Sequence, residues 1–241
     1  MAARTKRVEK DNGQVNRVEE VLESVEQQKP TTERVTITPP NMKYLVLRIT
    51  GITPLVIHRF GEKARQMMMA TQELGSQSRK GKKREPRDFE KDYQQARHIA
   101  RISKDGKPGW DGFHAGGFRK AMVDACKLVG FHMTKAKITL FVEADGYGVD
   151  GQPLVRITKG EPRKVIHEVR NATGVADLRA RPMWDPEWEA IVVIRYDADM
   201  FSPTDIVNLT NRVGLQCGIC EGRPNSKDSC GCDWGLFSTS T

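Results

Sequence analysis

The sequence predicts an α+β protein built on an antiparallel sheet with two helices. Within Tyr44–Ile57, Leu45, Leu47 and Ile49 alternate with Tyr44, Val46, Arg48 and Thr50, which is typical of a strand with two distinct faces. Trp188–Asp197 has a β-branched centre, which also favours a strand. Two other segments, one after His114 and one after Ser202, repeat apolar residues every three or four positions, which is typical of helices. In chain order these segments form two β-α-β halves. Such halves build a ferredoxin-like (RRM-like) sheet with both helices on one face.

Length and charge limit the possible functions. A chain of 241 residues can build one large domain or two small ones. Its formal net charge of +8 favours an acidic partner such as nucleic acid, and a merely soluble basic protein is the alternative. The sequence has no apolar run long enough to span a membrane and no apolar signal segment at its start. We therefore expect a cytoplasmic protein with no membrane partner.

Residues 1–41 are predicted to be a flexible tail, and residues 42–241 a single domain. The tail contains seven basic and seven acidic side chains, no aromatic residue, and Pro39-Pro40 near its end. Such a segment cannot bury enough apolar surface to offset the entropy lost on ordering, although a short helix over Val15–Gln28 is an alternative. Because the tail is nearly neutral, the excess positive charge lies in the folded part.

A basic insertion over residues 60–108 follows the first strand, with a helix expected at Lys91–Ile102. Residues 76–107 contain eleven lysines and arginines against five acidic residues. This composition fits a mobile basic loop over a phosphate backbone, and it equally fits a solvated insertion loop. Candidate phosphate contacts at the end of the strand and in the insertion are His58, Arg59, Lys80, Lys82, Lys83 and Arg84, and candidate base-stacking residues are Phe89 and Tyr93.

The helix after His114 begins with two glycines, Gly116 and Gly117. Free backbone N–H groups at such a start favour an anion, and Arg119 and Lys120 add positive charge at the same place. Glycines used only for a tight turn are the alternative. The buried stripe of this helix is predicted to consist of Phe118, Met122, Ala125 and Val129.

The region 146–183 is predicted to form a basic hairpin, after a strand at Lys135–Ala144. Leu154–Ile157 and Lys164–Arg170 are its expected strands. From Arg156 to Arg181 there are seven basic residues against three acidic ones, so this region could form the second side of a cleft for a nucleic-acid strand. Candidate contacts here are Arg156, Lys164, Arg170, Arg179 and Arg181, with Tyr147 for stacking.

The second helix has clear local start signals. Ser202 can cap it, Pro203 suits its first turn, and Asp205 places an acid near its positive end. Its buried face is expected to contain Ile206, Leu209 and Val213, and Gly214 is expected to end it. A turn rich in glycine and cysteine follows, containing the candidate contact Arg223, and leads into a last strand.

Three segments resemble the RAMP superfamily, the repeat-associated proteins of CRISPR effector complexes. Gly112–Ala121 is similar to the small-residue helix entry of that superfamily, which is followed by an arginine. Gly214–Arg223 and Gly231–Gly235 resemble its glycine-rich loop, and Ile52–His58 resembles its first strand. The resemblance extends over about Tyr44 to Phe237, apart from the insertion.

The resemblance implies a particular arrangement of the chain. The nearest analogue is the backbone subunit that polymerises along a guide RNA, with a ferredoxin-like palm, a thumb hairpin and basic fingers. Arg156–Arg181 would be the thumb and Ser76–Lys107 the fingers. Arg119, Lys120 and the loop after Cys220 would lie near the phosphates.

Four of the five cysteines fall in the C-terminal turn, and they suggest structural zinc. Without an export signal, thiols more often bind metal than pair as disulfides. Two close pairs bridging one turn could supply four thiolates to a tetrahedral ion, which would replace apolar packing in a polar loop. Free thiols, a disulfide and an iron–sulfur cluster are the alternatives. The candidate ligands are Cys217, Cys220, Cys230 and Cys232.

We expect a protein that grips single-stranded nucleic acid by its backbone, as a homo-oligomer or filament, rather than an enzyme. It could coat RNA as part of a CRISPR-like complex, or coat single-stranded DNA of a phage or mobile element. A metal-independent endoribonuclease that uses His58 or His114 as general base is a further alternative. The sequence shows no Walker loop, Ser/His/Asp order or paired acidic metal site.

Overall fold

The computed structural model describes residues 37–59, 66, 69, 87–101, 109–170, 176–226 and 232–240. The chain divides into the units Met1–Pro39 and Pro40–Thr241, and everything below concerns the second. Its described residues form an α+β architecture with antiparallel strand pairing, which confirms the predicted class. The described helices include none that is long and apolar enough to cross a membrane.

The strands in chain order are β1 (Met42–Gly51), β2 (Leu55–Val56), β3 (Gly112–His114), β4 (Leu140–Val142), β5 (Gly146–Tyr147), β6 (Pro153–Lys159), β7 (Arg163–Arg170), β8 (Ala176–Trp184), β9 (Glu189–Asp197) and β10 (Phe237–Ser240). The α-helices are α1 (Phe89–Ala96), α2 (Ala115–Ala125), α3 (Met133–Thr139) and α4 (Pro203–Arg212). The described residues thus contain four α-helices, where the sequence predicted two against the sheet and one in the insertion.

A central sheet has the strand order β10-β1-β9-β6-β3. β1 pairs with β9 along its whole length, from Met42 opposite Asp197 to Thr50 opposite Glu189. The other edge of β9 is shared, because β4 pairs with its C-terminal half and β6 with its N-terminal half. β5 is added beside β6.

One face of the central sheet is covered by α2 and α4. Side chains alternate along β1 and β9, so Leu47 and Ile49 point inward while Tyr44 and Val46 stay exposed. Burying each aliphatic side chain of this layer contributes about 1.5–3 kcal/mol. The inward layer also includes Val192, Ile194, Phe118, Met122, Ile206 and Leu209, all of them buried.

The start of α4 agrees with the prediction, but its end does not. The Ser202 side chain accepts from the backbone N–H of Asp205, whose carboxylate accepts from the Ser202 backbone N–H in return. The helix does not end at Gly214, because a π-helical turn continues over Val213–Cys217 and ends at Gly218, where φ is +68°. A Cβ on Gly214 would overlap the carbonyl oxygen of Phe237. Gly214 therefore allows β10 to approach this turn.

Three other local predictions were wrong. The segment predicted as a strand at Lys135–Ala144 is helical through Thr139, with Ile138 71% exposed. Val129 is exposed and does not belong to the buried stripe of α2. The helix predicted at Lys91–Ile102 is α1, which starts earlier and is shorter.

The hairpin exists, but with different strands. β6 joins the central sheet, whereas β7 pairs with β8 over their full length, from Arg163 opposite Met183 to Arg170 opposite Ala176. The expected pairing of Leu154–Ile157 with Lys164–Arg170 was therefore wrong. β2 adds to the outer edge of β8 and completes a second sheet of order β2-β8-β7.

The end of the basic insertion is attached to this hairpin through α1. Lys164 Nζ lies 2.7 Å from Glu90 Oε2, and Arg87 Nη1 lies 2.6 Å from Asp177 Oδ1. The end of α1 also lies beside the residue that precedes the insertion, because the backbone N–H of Arg59 donates to the carbonyl oxygen of Ala96 at 2.9 Å. Arg59 and Ala96, which flank the segment between them, are therefore neighbours.

Candidate nucleic-acid interface

The glycine- and cysteine-rich turn is held against β2 and the residues before it. Its backbone N–H groups at Glu221 and Gly235 donate to the carbonyl oxygens of Val56 and Pro54, at 3.0 and 2.8 Å. The two arms of the turn are joined by the Ile219 N–H, which donates to the Gly235 carbonyl at 3.0 Å. Since β2 is the neighbour of β8, these bonds bring Glu221 to the hairpin.

A cluster of basic and aromatic side chains lies where this turn meets the hairpin. Val165 is opposite Arg181 and His167 is opposite Arg179, so these residues share one face of the β7–β8 ribbon. On this face Arg181 Nε donates to Glu221 Oε2 at 2.8 Å. We call the following set the hairpin cluster: His58, His167, Arg179, Arg181, Glu221 and Trp234.

Electrostatics and ring packing connect the members of the hairpin cluster. The His167 and Trp234 ring centroids lie 4.7 Å apart. His58 keeps part of its surface exposed. Burial of part of its ring nevertheless disfavours the positively charged form, and the nearby charge of Arg181 adds to this effect. Together they lower the pKa of His58 to about 4. Within the cluster Arg181 is buried and pairs with Glu221, whereas Arg179 is half-buried and pairs with Asp177 at 3.4 Å.

A second group of titratable residues surrounds Asp150, in the turn between β5 and β6. Arg59 Nε donates to Asp150 Oδ2 at 3.3 Å, and 5% of the Asp150 side chain is exposed. The other oxygen, Oδ1, is buried and has no hydrogen-bond partner in the described part of the chain. We call Arg59, His98, His114 and Asp150 the Asp150 cluster.

The histidines of the Asp150 cluster are held neutral. His98 is 8% exposed, and burial lowers its pKa to about 4, against the opposing effect of Asp150. Burial also lowers the pKa of His114, whose Nδ1 accepts a hydrogen bond from the Gly117 N–H at 3.0 Å at the start of α2. His58 interacts electrostatically with His98, so the two clusters are neighbours. His98 and Asp150 were missed in the sequence, where no local pattern marks either one.

Arg119 and Lys120 have different environments. The Arg119 guanidinium donates to the backbone carbonyls of Lys137 and Leu140, at the end of α3. Its Cζ also lies 4.8 Å from the centroid of the Phe141 ring. Lys120 is 65% exposed and forms an ion pair with Asp124 at 2.6 Å. Arg119 thus stabilises a helix end, while the Lys120 side chain reaches solvent.

The candidate stacking residues also differ in their accessibility. Tyr93 is buried, and its hydroxyl donates to the Pro162 carbonyl at 3.1 Å, so its ring is covered. Phe89 is half-buried with the Arg87 guanidinium 5.7 Å from its centroid. Tyr147 is 58% exposed. Of the three, only Tyr147 presents an open ring.

The other candidate residues lie at several places. Arg156 is exposed beside Trp110, and Arg223 donates to the Cys220 carbonyl at 2.7 Å. Lys164 is paired with Glu90. The predicted residues outside the described part are Lys80, Lys82, Lys83, Arg84, Cys230 and the side chain of Arg170.

Three of the four predicted zinc ligands are described. Cys217 is buried in the core and Cys220 packs beside it, and burial raises the pKa of both thiols, that of Cys220 to about 12. In the described ranges, the acidic, histidine and cysteine side chains form no group of three or more that could hold a metal ion. Since Cys230 lies outside those ranges, the four-cysteine site stays a prediction.

Comparisons with known proteins give no assignment. No protein-family model matches the chain, and no curated protein matches it.

Proposed function

We propose that the protein binds single-stranded nucleic acid, gripping it mainly by the phosphate backbone. The proposal rests on the hairpin cluster, in which the half-buried Arg179 and His167 are cross-strand neighbours beside the buried Arg181–Glu221 pair and His58. Guanidinium groups with planar donor pairs suit phosphate oxygens, and an aromatic ring such as that of Trp234 adds a surface for bases. The chain's net charge of +8 is consistent with such a ligand.

The basic insertion would extend this surface. Its two ends meet beside the hairpin, because Arg59 is bonded to Ala96 and α1 is attached to β7 and β8. A strand lying along the hairpin cluster would then have the basic residues of the insertion within reach. Such an arrangement would place positive charge on two sides of the strand.

A RAMP-like, ferredoxin-like palm is part of the proposal. It is supported by the strand order β10-β1-β9-β6, since two split β-α-β units build a sheet in this order with their helices on one face. On this view the protein coats RNA as a homo-oligomer or filament, like the backbone subunit of CRISPR effector complexes. A coat for the single-stranded DNA of a phage or mobile element would use the same surface.

Gel shifts with RNA and DNA oligonucleotides of matched sequence test the proposal and separate its two forms. We expect binding of one or both, and Arg179→Ala should weaken it similarly for all sequences. Arg48→Ala is the matched control, because Arg48 is exposed on β1 and pairs with Glu189, away from the hairpin. If both variants bind as tightly as the wild type, the hairpin cluster is not the binding surface. No binding by the wild type would contradict the function.

Metal-independent RNA cleavage is a second candidate, favoured by the Asp150 cluster. The neutral imidazole of His58 can take the proton of a ribose 2′-hydroxyl, so that the 2′-oxygen attacks the adjacent phosphorus. The 5′-oxygen then leaves with a proton from Nε2–H of His114, whose Nδ1 accepts the Gly117 N–H. The products would be a 2′,3′-cyclic phosphate and a 5′-hydroxyl. Cleavage in EDTA that is lost in His58→Ala or His114→Ala, and blocked by one 2′-deoxy nucleotide at the cut site, would establish it.

A further inference from the structure

Trp110 packs on a seat made by two glycines of the central sheet. A Cβ on Gly146, in β5, would lie 2.9 Å from Cζ2 of the indole. One on Gly112, in β3, would lie 2.4 Å from the Val155 carbonyl oxygen and 2.9 Å from Cζ3 of the indole. Both strands pair with β6, on its two sides. The lack of side chains at these two positions therefore leaves room for the indole, which is half-buried.

Positive charge and a second aromatic ring surround this seat. The Arg156 guanidinium carbon lies 6.0 Å from the Trp110 ring centroid, and Arg156 is exposed. The exposed residue Arg101 donates its backbone N–H to the carbonyl oxygen of Tyr147 at 2.8 Å, and its guanidinium donates to the Val149 carbonyl at 3.3 Å. Tyr147 is itself exposed. An open cavity of about 520 Å³ lies between these groups. Its lining comprises Ala100, Arg101, Trp110, Asp145, Gly146, Tyr147 and Gly151.

The acidic residue of the cavity does not oppose an anion strongly. Asp145 Oδ2 accepts the backbone N–H of Arg156 at 2.8 Å, so part of its charge is engaged in fixing β6. Two exposed arginines, Arg101 and Arg156, lie near this one carboxylate, so positive charge is in excess. The cavity therefore combines flat apolar surface with a positive margin, which is the combination that single-stranded nucleic acid requires.

The cavity is also continuous with the candidate interface. Gly151 in its lining follows Asp150, and Ala100 lies two residues after His98 in a segment bonded to Trp110, whose carbonyl accepts the Ala100 N–H at 2.9 Å. The cavity and the Asp150 cluster are therefore formed by neighbouring residues of the same two segments.

We propose that this cavity is a base-stacking subsite, in which Trp110 and Tyr147 hold a nucleobase of a bound strand while Arg101 and Arg156 contact its flanking phosphates. This inference deepens the proposed function and rests on it. Stacking on aromatic rings tolerates any base, so the subsite would add affinity without sequence preference. Removing one stacked base should weaken binding about tenfold.

A comparison of two oligonucleotides, one of thymidines and one of abasic sites of equal length, tests the subsite. Both have the same phosphates. The wild type should bind the thymidine strand about tenfold more tightly than the abasic strand, and Tyr147→Ala should reduce this ratio. Tyr147 is 58% exposed, so its replacement should not affect folding, and Trp110→Leu checked by thermal melting is the second variant. Ile191→Ala, on the outer face of β9, is the control.

Tryptophan fluorescence gives an independent readout. Trp184 and Trp188 are buried, so quenching by the thymidine strand should come from Trp110 and Trp234. It should fall in Trp110→Phe, and the part that remains should fall in Trp234→Phe. The same titration with thymidine monophosphate distinguishes a strand subsite, which should show weak quenching, from a mononucleotide site. Tight binding with equal affinity for both strands would overturn the subsite and leave the proposed function standing. If neither strand binds, both proposals fail.

Discussion

Arg181 and Glu221 form an ion pair between strand β8 and the C-terminal turn, with Nε 2.8 Å from Oε2 and 8% of the Arg181 side chain exposed. Burial lowers the pKa of Arg181, while Glu221 opposes this effect. A charge this far from water depends on its partner, since removing one member of a buried pair leaves the other uncompensated. The pair therefore fixes the turn against the hairpin.

Replacing Glu221 by glutamine should lower the free energy of unfolding by about 3 kcal/mol, because Arg181 would keep its charge without a counter-ion. Urea denaturation at pH 7 measures this. Asp185→Asn is the control, since Asp185 is 63% exposed and pairs with an exposed arginine, Arg163, so its change should stay within about 0.5 kcal/mol. If both substitutions lower the free energy of unfolding equally, the Arg181 guanidinium is not shielded from water.

Stability should depend on pH through His98. Its pKa is about 4 in the folded protein and about 6.5 in the unfolded chain, so between these values the unfolded chain binds more protons and stability falls as the pH falls. The groups facing it are Asp150, His114, Arg59 and His58. Between pH 6.5 and pH 5 the wild type should lose about 1.5 kcal/mol more than His98→Gln. Unfolding by urea at each pH gives the difference. A constant difference would mean that the pKa of His98 is the same in the folded and the unfolded chain.

How far the sequence predicts this fold depends on the range of the interactions. The start of α4 is local, since Ser202 and Asp205 cap it within one turn, and it was predicted correctly. Residues 135–139 alternate as a strand would, yet they are helical, with Arg119 of α2 bonded to the carbonyls at the end of α3. The pairing partner of β6 likewise depends on β9, far along the chain, and no local signal identifies it.

The candidate site shows the same limit. His58 was found from its position at the end of a strand, and Arg181 from the basic composition of its region. His98 and Asp150 were not found, because each is isolated in the sequence and gains its neighbours only when β3, β5 and the end of the insertion meet. Tyr93 was predicted as an open ring, but its hydroxyl bond to Pro162 and its burial come from the hairpin docking on α1.

Arg119 should contribute to stability rather than to phosphate binding. Because its guanidinium supplies hydrogen bonds to the carbonyls of Lys137 and Leu140, Arg119→Ala should lower the free energy of unfolding by about 2 kcal/mol. The salt dependence of oligonucleotide binding should not change. Lys120→Ala, one residue later on α2 and 65% exposed, should leave stability within about 0.5 kcal/mol. If Arg119→Ala instead leaves the free energy of unfolding unchanged and makes the salt dependence of oligonucleotide binding less steep, the sequence prediction of a phosphate contact is right.

The basic centre of the insertion should determine how binding responds to salt. Each phosphate neutralised on a single strand contributes a slope of about −0.7 to the logarithm of affinity against the logarithm of salt concentration. Replacing Lys82, Lys83 and Arg84 by alanine should therefore make the slope less steep by about 2, and weaken binding equally for all sequences. Titrations from 50 mM to 200 mM salt measure it. A flat wild-type dependence, or a loss confined to certain bases, would contradict the backbone-binding mode.

Metal analysis tests the zinc prediction for the C-terminal turn. Four thiolates would bind about one zinc ion per chain, and they must lose their protons to do so. Burial raises the pKa of the Cys217 and Cys220 thiols, so uptake at neutral pH should release protons and become weaker as the pH falls.

Elemental analysis after metal-free purification, repeated on Cys230→Ser and Cys232→Ser, measures the zinc content. Cys126→Ser is the control, because Cys126 is buried in the core away from the turn. Less than about a tenth of an equivalent in the wild type would reject the site. The turn would then be held by its backbone hydrogen bonds to Pro54 and Val56.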